Sequence, residues 1–264
     1  MRSTVAAIAL VTVLGSCPMS SAAETFKGYE DRVIPFAGDE QKEEIFHYRL
    51  LRPAKVEPEV KYPLIVFLHG AGERGADNKS QLLYLPESMT QAERRAKFPC
   101  FVYAPQCRSE KRWVEVHWGD KQSTSMKPKP GGQMRMAIAA LEQVLQTEPV
   151  DRSRVYLTGL SMGGYGSWEL AARLPDLFAA VAPICGGGDE ATAKVLAPVP
   201  IWAFHGDADR AVPVIRSRRM IDAIKAADGN IKYTEYPGVG HNSWGRAYHD
   251  DSGLLDWMFQ QRRK

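Results

Sequence analysis

The chain has 264 residues, of which 44% are apolar, and its formal net charge is +3 at pH 7. This length and composition suit one large hydrophobic core and exclude a disordered or low-complexity protein. Lysine and arginine are scattered and form no stripe that could follow a phosphate backbone, which argues against nucleic acid as a partner.

The first 23 residues are typical of a signal peptide. Arg2 precedes an apolar run over residues 5–14, and small residues follow at 21–23. The run is about ten residues long, whereas a bilayer-spanning helix needs roughly twenty, so no transmembrane span is expected.

Two processing routes remain open for this leader. Cleavage after residue 23 would release a soluble exported protein, while Leu14-Gly15-Ser16-Cys17 resembles an imperfect lipobox that would place a lipid anchor on Cys17. Either route predicts one domain over residues 24–264, located in the periplasm or outside the cell, and by the second route anchored to a membrane. The sequence leaves the oligomeric state open.

Strand and helix patterns alternate along this domain. Residues 32–36 and 46–51 predict an antiparallel edge pair. The predicted core strands follow at 63–68, 101–104, 154–158, 179–184, 200–204 and 231–236. The helical patterns lie between them, around Met134, Ile138, Leu141 and Leu145 and at residues 163–174 and 214–227. This order predicts an α/β fold with a mostly parallel sheet, helices on both faces and functional loops at the carboxyl ends of the strands.

The most specific motif is Gly159-Leu160-Ser161-Met162-Gly163, a G-x-S-x-G turn between a predicted strand and a predicted helix. This context is that of a nucleophile elbow, a tight turn that demands small neighbours and lifts the serine hydroxyl above the sheet. The motif predicts Ser161 as the nucleophile.

A serine hydroxyl needs a histidine base that a carboxylate holds in one tautomer, and after such an elbow the acid precedes the histidine in the chain. His241, in the glycine-rich loop after the last strand, is preferred to His249 near the final helix. Asp209 is the preferred acid, because it lies further into its loop than Asp207, which we expect to cap or brace the turn. His205, beside the preceding strand, is interpreted as structural.

Acyl transfer also needs hydrogen-bond donors for the oxyanion. Met162 follows the nucleophile and supplies one backbone N–H. The loop His69-Gly70-Ala71-Gly72 ends an early strand, and Gly70 would let substrate approach the backbone, so the N–H of Ala71 is the second expected donor.

The segment 107–131 has no clear periodicity and is longer than most connections, so we expect it to overhang the site. It contains Trp113 and Trp118, and Trp244 lies three residues after His241. One hypothesis places these side chains in the walls of a substrate cleft; the alternative is that they only pack their loops.

Three cysteines remain after the leader: Cys100, Cys107 and Cys185. Cys100 and Cys107 flank one predicted strand, where seven steps of about 3.3 Å would separate their Cα atoms by about 23 Å, too far for a disulfide. Their spacing matches no zinc pattern, so no metal is expected. Cys185 is given no role.

These motifs resemble those of secreted or lipid-anchored bacterial esterases of the phospholipase/carboxylesterase and prolyl-oligopeptidase-like branch of the α/β-hydrolases. The resemblance covers roughly residues 46–264. It rests on the segments 67–75, 104–107, 159–163, 182–188, 205–213 and 240–244. It implies the α/β-hydrolase fold, with a twisted sheet of about eight strands, and hydrolysis of carboxylic esters without a cofactor. The related dienelactone hydrolases carry a cysteine at the elbow, and Ser161 argues against their chemistry.

The expected function is therefore a serine esterase acting on a small-molecule or polysaccharide-linked ester. Two alternatives remain: a serine peptidase of the prolyl-oligopeptidase-like type, and a non-catalytic binding module on the same fold. The intact Ser161, Asp209 and His241 argue against the binding module, and a chain too short for a propeller gate favours accessible esters over peptides.

Overall fold

The computed structural model describes residues 25–37 and 43–263. The predicted signal peptide and Cys17 lie outside the described residues. In the described part of the chain, no helix is both long enough and apolar enough to cross a membrane.

Within the described residues, nine strands form one sheet in the order β1-β2-β3-β5-β4-β6-β7-β8-β9. The strands are β1 (Thr25–Phe26), β2 (Tyr29–Ala37), β3 (Glu43–Leu51), β4 (Tyr62–Leu68), β5 (Phe101–Pro105), β6 (Val150–Leu160), β7 (Ala180–Ile184), β8 (Ile201–Gly206) and β9 (Ile231–Tyr236). The six strands β5-β4-β6-β7-β8-β9 pair in parallel, whereas β1, β2 and β3 join the sheet antiparallel.

Eight α-helices accompany the sheet in the described part. They are α1 (Leu85–Ser88), α2 (Ala92–Lys97), α3 (Gly132–Thr147), α4 (Met162–Arg173), α5 (Ala193–Leu196), α6 (Ile215–Ala226), α7 (Trp244–Ala247) and α8 (Leu254–Gln260). The three predicted helices correspond to α3, α4 and α6.

The alternation of side chains along the strands divides the core into two layers. On β4, Leu64, Val66 and Leu68 pack with α3, α4 and α6 on one face. Ile65 and Phe67 point to the other face, where they pack with α1 and α8. All seven residues of β4 are buried, as expected for a central strand covered on both sides.

The predicted α/β architecture and the antiparallel edge pair, β2 with β3, are confirmed. The sheet has one strand more than the expected eight because Thr25 and Phe26 pair with β2 as a two-residue edge strand. Such a short strand has no periodicity that a sequence pattern could show. Cys100, Cys107 and Cys185 are buried free thiols.

Candidate active site

Ser161 lies at the sharp turn between the end of β6 and the start of α4. Its backbone φ of 54° and ψ of −115° are unusual for a residue with a side chain. The N–H of Ser161 donates to the carbonyl of Ile184 at 2.9 Å, which ties the turn to the end of β7. The serine is therefore held in a strained conformation by the surrounding strands.

The two glycines of the motif are required by contact. A Cβ at Gly159 would lie 2.5 Å from the carbonyl oxygen of Gly163, and a Cβ at Gly163 would lie 1.8 Å from the carbonyl oxygen of Leu68. Both distances are far below van der Waals contact, so the elbow can approach β4 this closely only with glycine at these positions.

Loops after three strands bring Ser161, His241 and Asp209 together. The Oγ of Ser161 lies 2.9 Å from Nε2 of His241, and Nδ1 of His241 lies 2.7 Å from Oδ2 of Asp209. A proton on Nδ1 donates to the carboxylate, which leaves Nε2 free to accept the serine proton. The three side chains form one hydrogen-bonded relay, which is the geometry that a serine nucleophile, a base and an acid require.

The carboxylate of Asp209 is buried and fully engaged. Oδ1 accepts the N–H groups of Ala211 at 2.8 Å and Val212 at 2.9 Å. Burial acts to raise the pKa of Asp209, but hydrogen bonds from His205, His241 and the Val212 N–H outweigh it and hold the pKa well below its usual range. Asp209 is therefore ionised at any pH at which the protein would work.

The other candidates for base and acid lie elsewhere. Asp207 accepts the N–H of Gly238 at 2.7 Å and braces the turn between the two loops. The side chain of His249 is 65% exposed and lies beside Asp251. Neither residue has a hydrogen bond to the relay among the described residues.

The two expected oxyanion donors are at helix starts. Met162 is the first residue of α4, and Ala71 is the first residue of a short 3₁₀ helix, Ala71–Glu73. Neither N–H has a partner within its own helix, because the first N–H groups of a helix point away from it. At Gly70 a Cβ would lie 2.7 Å from Cδ1 of Leu160, which explains the glycine before Ala71.

His69 supports this loop, a role that the sequence analysis did not identify. Its Nε2 accepts the N–H of Cys107 at 2.9 Å, so Nδ1 carries the proton and donates to the carbonyl of Gly70 at 2.6 Å. Burial lowers the pKa of His69 to about 4, and the ring is neutral at neutral pH. The one available signal was its position, directly before Gly70 at the end of β4.

The three tryptophans differ in their surroundings. Trp113 is fully buried, and its Nε1–H donates to the carbonyl of His69 at 3.0 Å. It therefore packs beneath the loop that carries Ala71, which favours the alternative that this indole packs its loop over the hypothesis that it forms a cleft wall. The physical reason is that the indole closes the gap between the segment 107–131 and α4, where Gly166 leaves room for it.

Trp118 and Trp244 are partly exposed. The Trp118 ring stacks with the Arg112 guanidinium, while its carbonyl accepts the hydroxyl of Tyr165 at 2.9 Å. The Trp244 ring meets the His241 ring edge-on, with centroids 5.2 Å apart. Of the three, Trp244 alone has a ring contact with the relay.

Cys185 lies next to the relay but is not a second nucleophile. Its sulfur, an oxygen of Asp209 and a nitrogen of His241 lie within 4.8 Å of one another. Burial raises the pKa of the Cys185 thiol far above its usual value, so the group stays protonated. A neutral thiol beside two groups already bonded to each other is a poor metal ligand.

A pocket of about 550 Å³, partly open to solvent, lies between the segment 107–131 and α4. Its walls include Val116, Met126, Tyr165, Trp168 and Arg216, and no residue of the relay lines it. Tyr165 stands four residues after Ser161 on α4, so this pocket adjoins the helix that starts at the elbow but is separate from the relay.

A model of the family described as Phospholipase/Carboxylesterase matches residues 54–253. The chain belongs to this family. Its sheet order and elbow are those of the α/β-hydrolase fold, and the crystal structure of a thermostable esterase matches it with a TM-score of 0.78. That structure is 36% identical, and the match covers 88% of this chain and 63% of the esterase chain.

Curated relatives of this member of the phospholipase/carboxylesterase family are more distant. "Putative esterase NocK" of Nocardia uniformis subsp. tsuyamanensis is 34% identical over 90 residues, which are 33% of this chain and 26% of that protein. A "Putative carboxymethylenebutenolidase" of Methylorubrum extorquens is 29% identical over 170 residues, which are 60% of this chain and 57% of that protein. The match thus spans about a quarter of the length of the first relative and somewhat over half of the length of the second.

Proposed function

We propose that this protein is a serine hydrolase that cleaves carboxylic esters through an acyl-enzyme intermediate. The observation that carries the proposal is the relay in which Ser161 Oγ lies 2.9 Å from His241 Nε2 and His241 Nδ1 lies 2.7 Å from Asp209 Oδ2. The relay begins at an elbow whose backbone is strained at Ser161. Membership of the phospholipase/carboxylesterase family supports the choice of an ester over other acyl substrates.

The proposed cycle has two halves. His241 Nε2 takes the proton of Ser161 as Oγ attacks the ester carbonyl, and the N–H groups of Met162 and Ala71 stabilise the oxyanion. The protonated His241 then gives its proton to the leaving alcohol. In the second half His241 activates water, which releases the acid and restores Ser161, while Asp209 stays ionised and stabilises the imidazolium.

The openness of the site favours substrates that reach Ser161 without a gate. The side chain of His241 is 29% exposed. We therefore assign small-molecule esters, or esters on an accessible polysaccharide, as the substrate class. Ser161 at the elbow argues against the cysteine chemistry of the dienelactone hydrolases.

Hydrolysis of p-nitrophenyl acetate, butyrate and octanoate by the purified protein tests this function. We expect turnover that is lost in Ser161→Ala, because the relay acts as one unit. Ser109 is an exposed serine in the segment 107–131, so Ser109→Ala is the matched control and should keep full activity. A fluorophosphonate should label the wild type and Ser109→Ala but not Ser161→Ala.

The same assay separates the alternatives. Turnover of peptidyl p-nitroanilides at rates similar to the esters would favour a serine peptidase. A folded wild type that neither turns over esters nor reacts with the fluorophosphonate would favour a binding module.

We also assign Trp118 and Trp244 to the substrate cleft, on the strength of their partial exposure and the contact of Trp244 with His241. Trp244→Ala should change KM across the ester series. Trp202 is the second residue of β8 and packs against Phe204 and Trp257, whereas the relay lies beyond the carboxyl ends of the strands. Trp202→Phe therefore serves as the control. Unchanged kinetics in Trp244→Ala would refute the assignment.

Export is proposed from the leader at residues 1–23. The mass of the mature N-terminus distinguishes the routes: a chain beginning at Glu24 indicates soluble export, and an acylated Cys17 in the membrane fraction indicates a lipoprotein. An unprocessed Met1 would contradict both.

A further inference from the structure

A second histidine contacts the carboxylate of Asp209. His205 is the penultimate residue of β8 and is fully buried. Its Nε2 lies 3.2 Å from Oδ2 of Asp209, the same oxygen that accepts Nδ1 of His241. One carboxylate oxygen is thus shared by two imidazole rings.

The nitrogen that faces Asp209 must carry a proton. Nε2 of His205 lies 3.0 Å from the carbonyl oxygen of Val212 as well as 3.2 Å from Asp209. A carbonyl oxygen and an ionised carboxylate can only accept hydrogen bonds. An unprotonated Nε2 would place three acceptors together in a buried site, which is costly.

The other nitrogen is set by Ser217, in the first turn of α6. Its hydroxyl lies 2.8 Å from Nδ1 of His205 and 2.9 Å from the carbonyl oxygen of Gly186. The hydroxyl has one proton, and Gly186 can only accept it. Nδ1 must then donate to Ser217 Oγ for every bond in the chain to be made.

We propose that His205 is an imidazolium that positions Asp209 and acts as a fixed cation next to the catalytic acid. Both ring protons then have acceptors, and the buried charge is compensated by the adjacent carboxylate. His205 is thus a positioning residue, since its described contacts are with Asp209, Val212 and Ser217 and not with Ser161. This inference rests on the proposed function wherever its test uses turnover.

A positive charge on His205 acts on protonated His241, because both rings contact the same oxygen of Asp209. When His241 takes the proton of Ser161, two imidazolium rings share one carboxylate oxygen, so the cation on His205 opposes the second protonation. A further charged group near His205 is Glu235, its partner in the pairing of β8 with β9, and the Glu235 carboxylate is paired with Arg218.

Nitrogen NMR of the ¹⁵N-histidine-labelled full-length protein reads the protonation of His205 directly. His205→Gln identifies its signals by their loss. We expect both ring nitrogens to show protonated shifts from about pH 7.5 to 9, where a histidine of ordinary pKa carries a single ring proton. A single protonated nitrogen over this range would overturn the proposal.

The pH profile of kcat/KM for p-nitrophenyl butyrate measures how the cation on His205 affects protonation of His241. Removing the cation makes protonated His241 more favourable, so the acid limb of His205→Gln should move to higher pH by about half a unit or more. Ser217→Ala removes the acceptor of Nδ1 and should move the limb in the same direction without changing the ring itself. His249→Gln, the same substitution at an exposed histidine, should leave the limb in place.

A purely structural role gives a different pattern. If His205 were purely structural, His205→Gln would lower the fraction of protein that the fluorophosphonate labels. The pH profile of kcat/KM would keep the acid limb of the wild type, and this result would overturn the proposal. If His205→Gln does not fold, Ser217→Ala and the NMR of the wild type still decide it. A folded wild type without ester turnover would instead count against the proposed function, and the NMR result would still stand on its own.

Discussion

The carbonyl oxygen of Leu68 faces the Cα of Gly163 so closely that a Cβ there would lie 1.8 Å away. This contact joins the end of β4 to the first turn of α4. It places the loop that carries Ala71 beside the loop that carries Ser161 and Met162. The positions of Ser161, the proposed nucleophile, and of both expected oxyanion donors thus depend on one close approach of backbone to backbone.

Gly163→Ala should lower the free energy of unfolding by about 3 kcal/mol, because the backbone of one of the two elements must shift. It should also abolish labelling of Ser161 by a fluorophosphonate in whatever protein folds. Gly72→Ala is the matched control: a Cβ there has no atom within 4 Å, so stability should change by less than about 0.5 kcal/mol. Urea denaturation measures both, and equal stabilities would contradict the steric argument.

His69 should make the stability of the protein depend on pH. Burial lowers its pKa to about 4, against about 6.5 in an unfolded chain, so the unfolded state binds a proton that the folded state refuses. The folded state therefore has its full stability above about pH 6.5 and loses about 3 kcal/mol from this group as pH falls to 4.

Urea denaturation of the wild type and His69→Gln between pH 7 and 4 checks this. Shifts at Asp77 and Asp151 occur in both proteins and cancel in the difference. The wild type should lose its stability relative to His69→Gln over this range. A constant difference would show that His69 titrates normally.

Asp209→Asn should lower kcat by about three to four orders of magnitude, because Asn cannot hold His241 in the tautomer that accepts the serine proton. KM should change by less than about threefold, since Asp209 does not face substrate. Asp207→Asn is the same substitution in the same loop, but it affects only the hydrogen bond from the N–H of Gly238. This variant should retain activity within about twofold. Similar losses in the two variants would refute the assignment of Asp209.

Trp113→Phe should destabilise the fold by about 1–1.5 kcal/mol, since the carbonyl of His69 loses a buried donor while most of the apolar packing remains. Trp118→Phe keeps the backbone carbonyl that binds Tyr165 and should change stability by less than about 0.5 kcal/mol. Thermal unfolding of the pair decides between a bracing role for Trp113 and a role at the cleft surface, which would alter KM and leave stability unchanged.

The parts of the site that lie directly after strands could be predicted from sequence. Gly159, Ser161 and Gly163 form a short motif whose strand and helix neighbours are visible in the pattern. The acid and the histidine follow from chain order and from the loops after β8 and β9. Each of these inferences needed only local residues and the rule that strand ends converge.

The remaining parts depend on contacts between distant segments. Trp113 lies in the segment 107–131, whose lack of periodicity hides which side chains face inward. The role of His69 follows from its bond to the N–H of Cys107, which no local pattern reveals. The position of His205 beside its strand indicates a structural role, whereas its contact with Asp209 depends on how the loop after β8 folds back.

The most direct test of the central claim is a stopped-flow measurement of p-nitrophenol release, combined with mass spectrometry of the acid-quenched protein. If Ser161 forms the acyl-enzyme, the wild type should release a burst of about one equivalent whenever deacylation is the slower half. The acyl group should then map to the peptide that contains Ser161. An acyl group on any other residue, or turnover without acylation of Ser161 while Ser161→Ala remains active, would contradict the account.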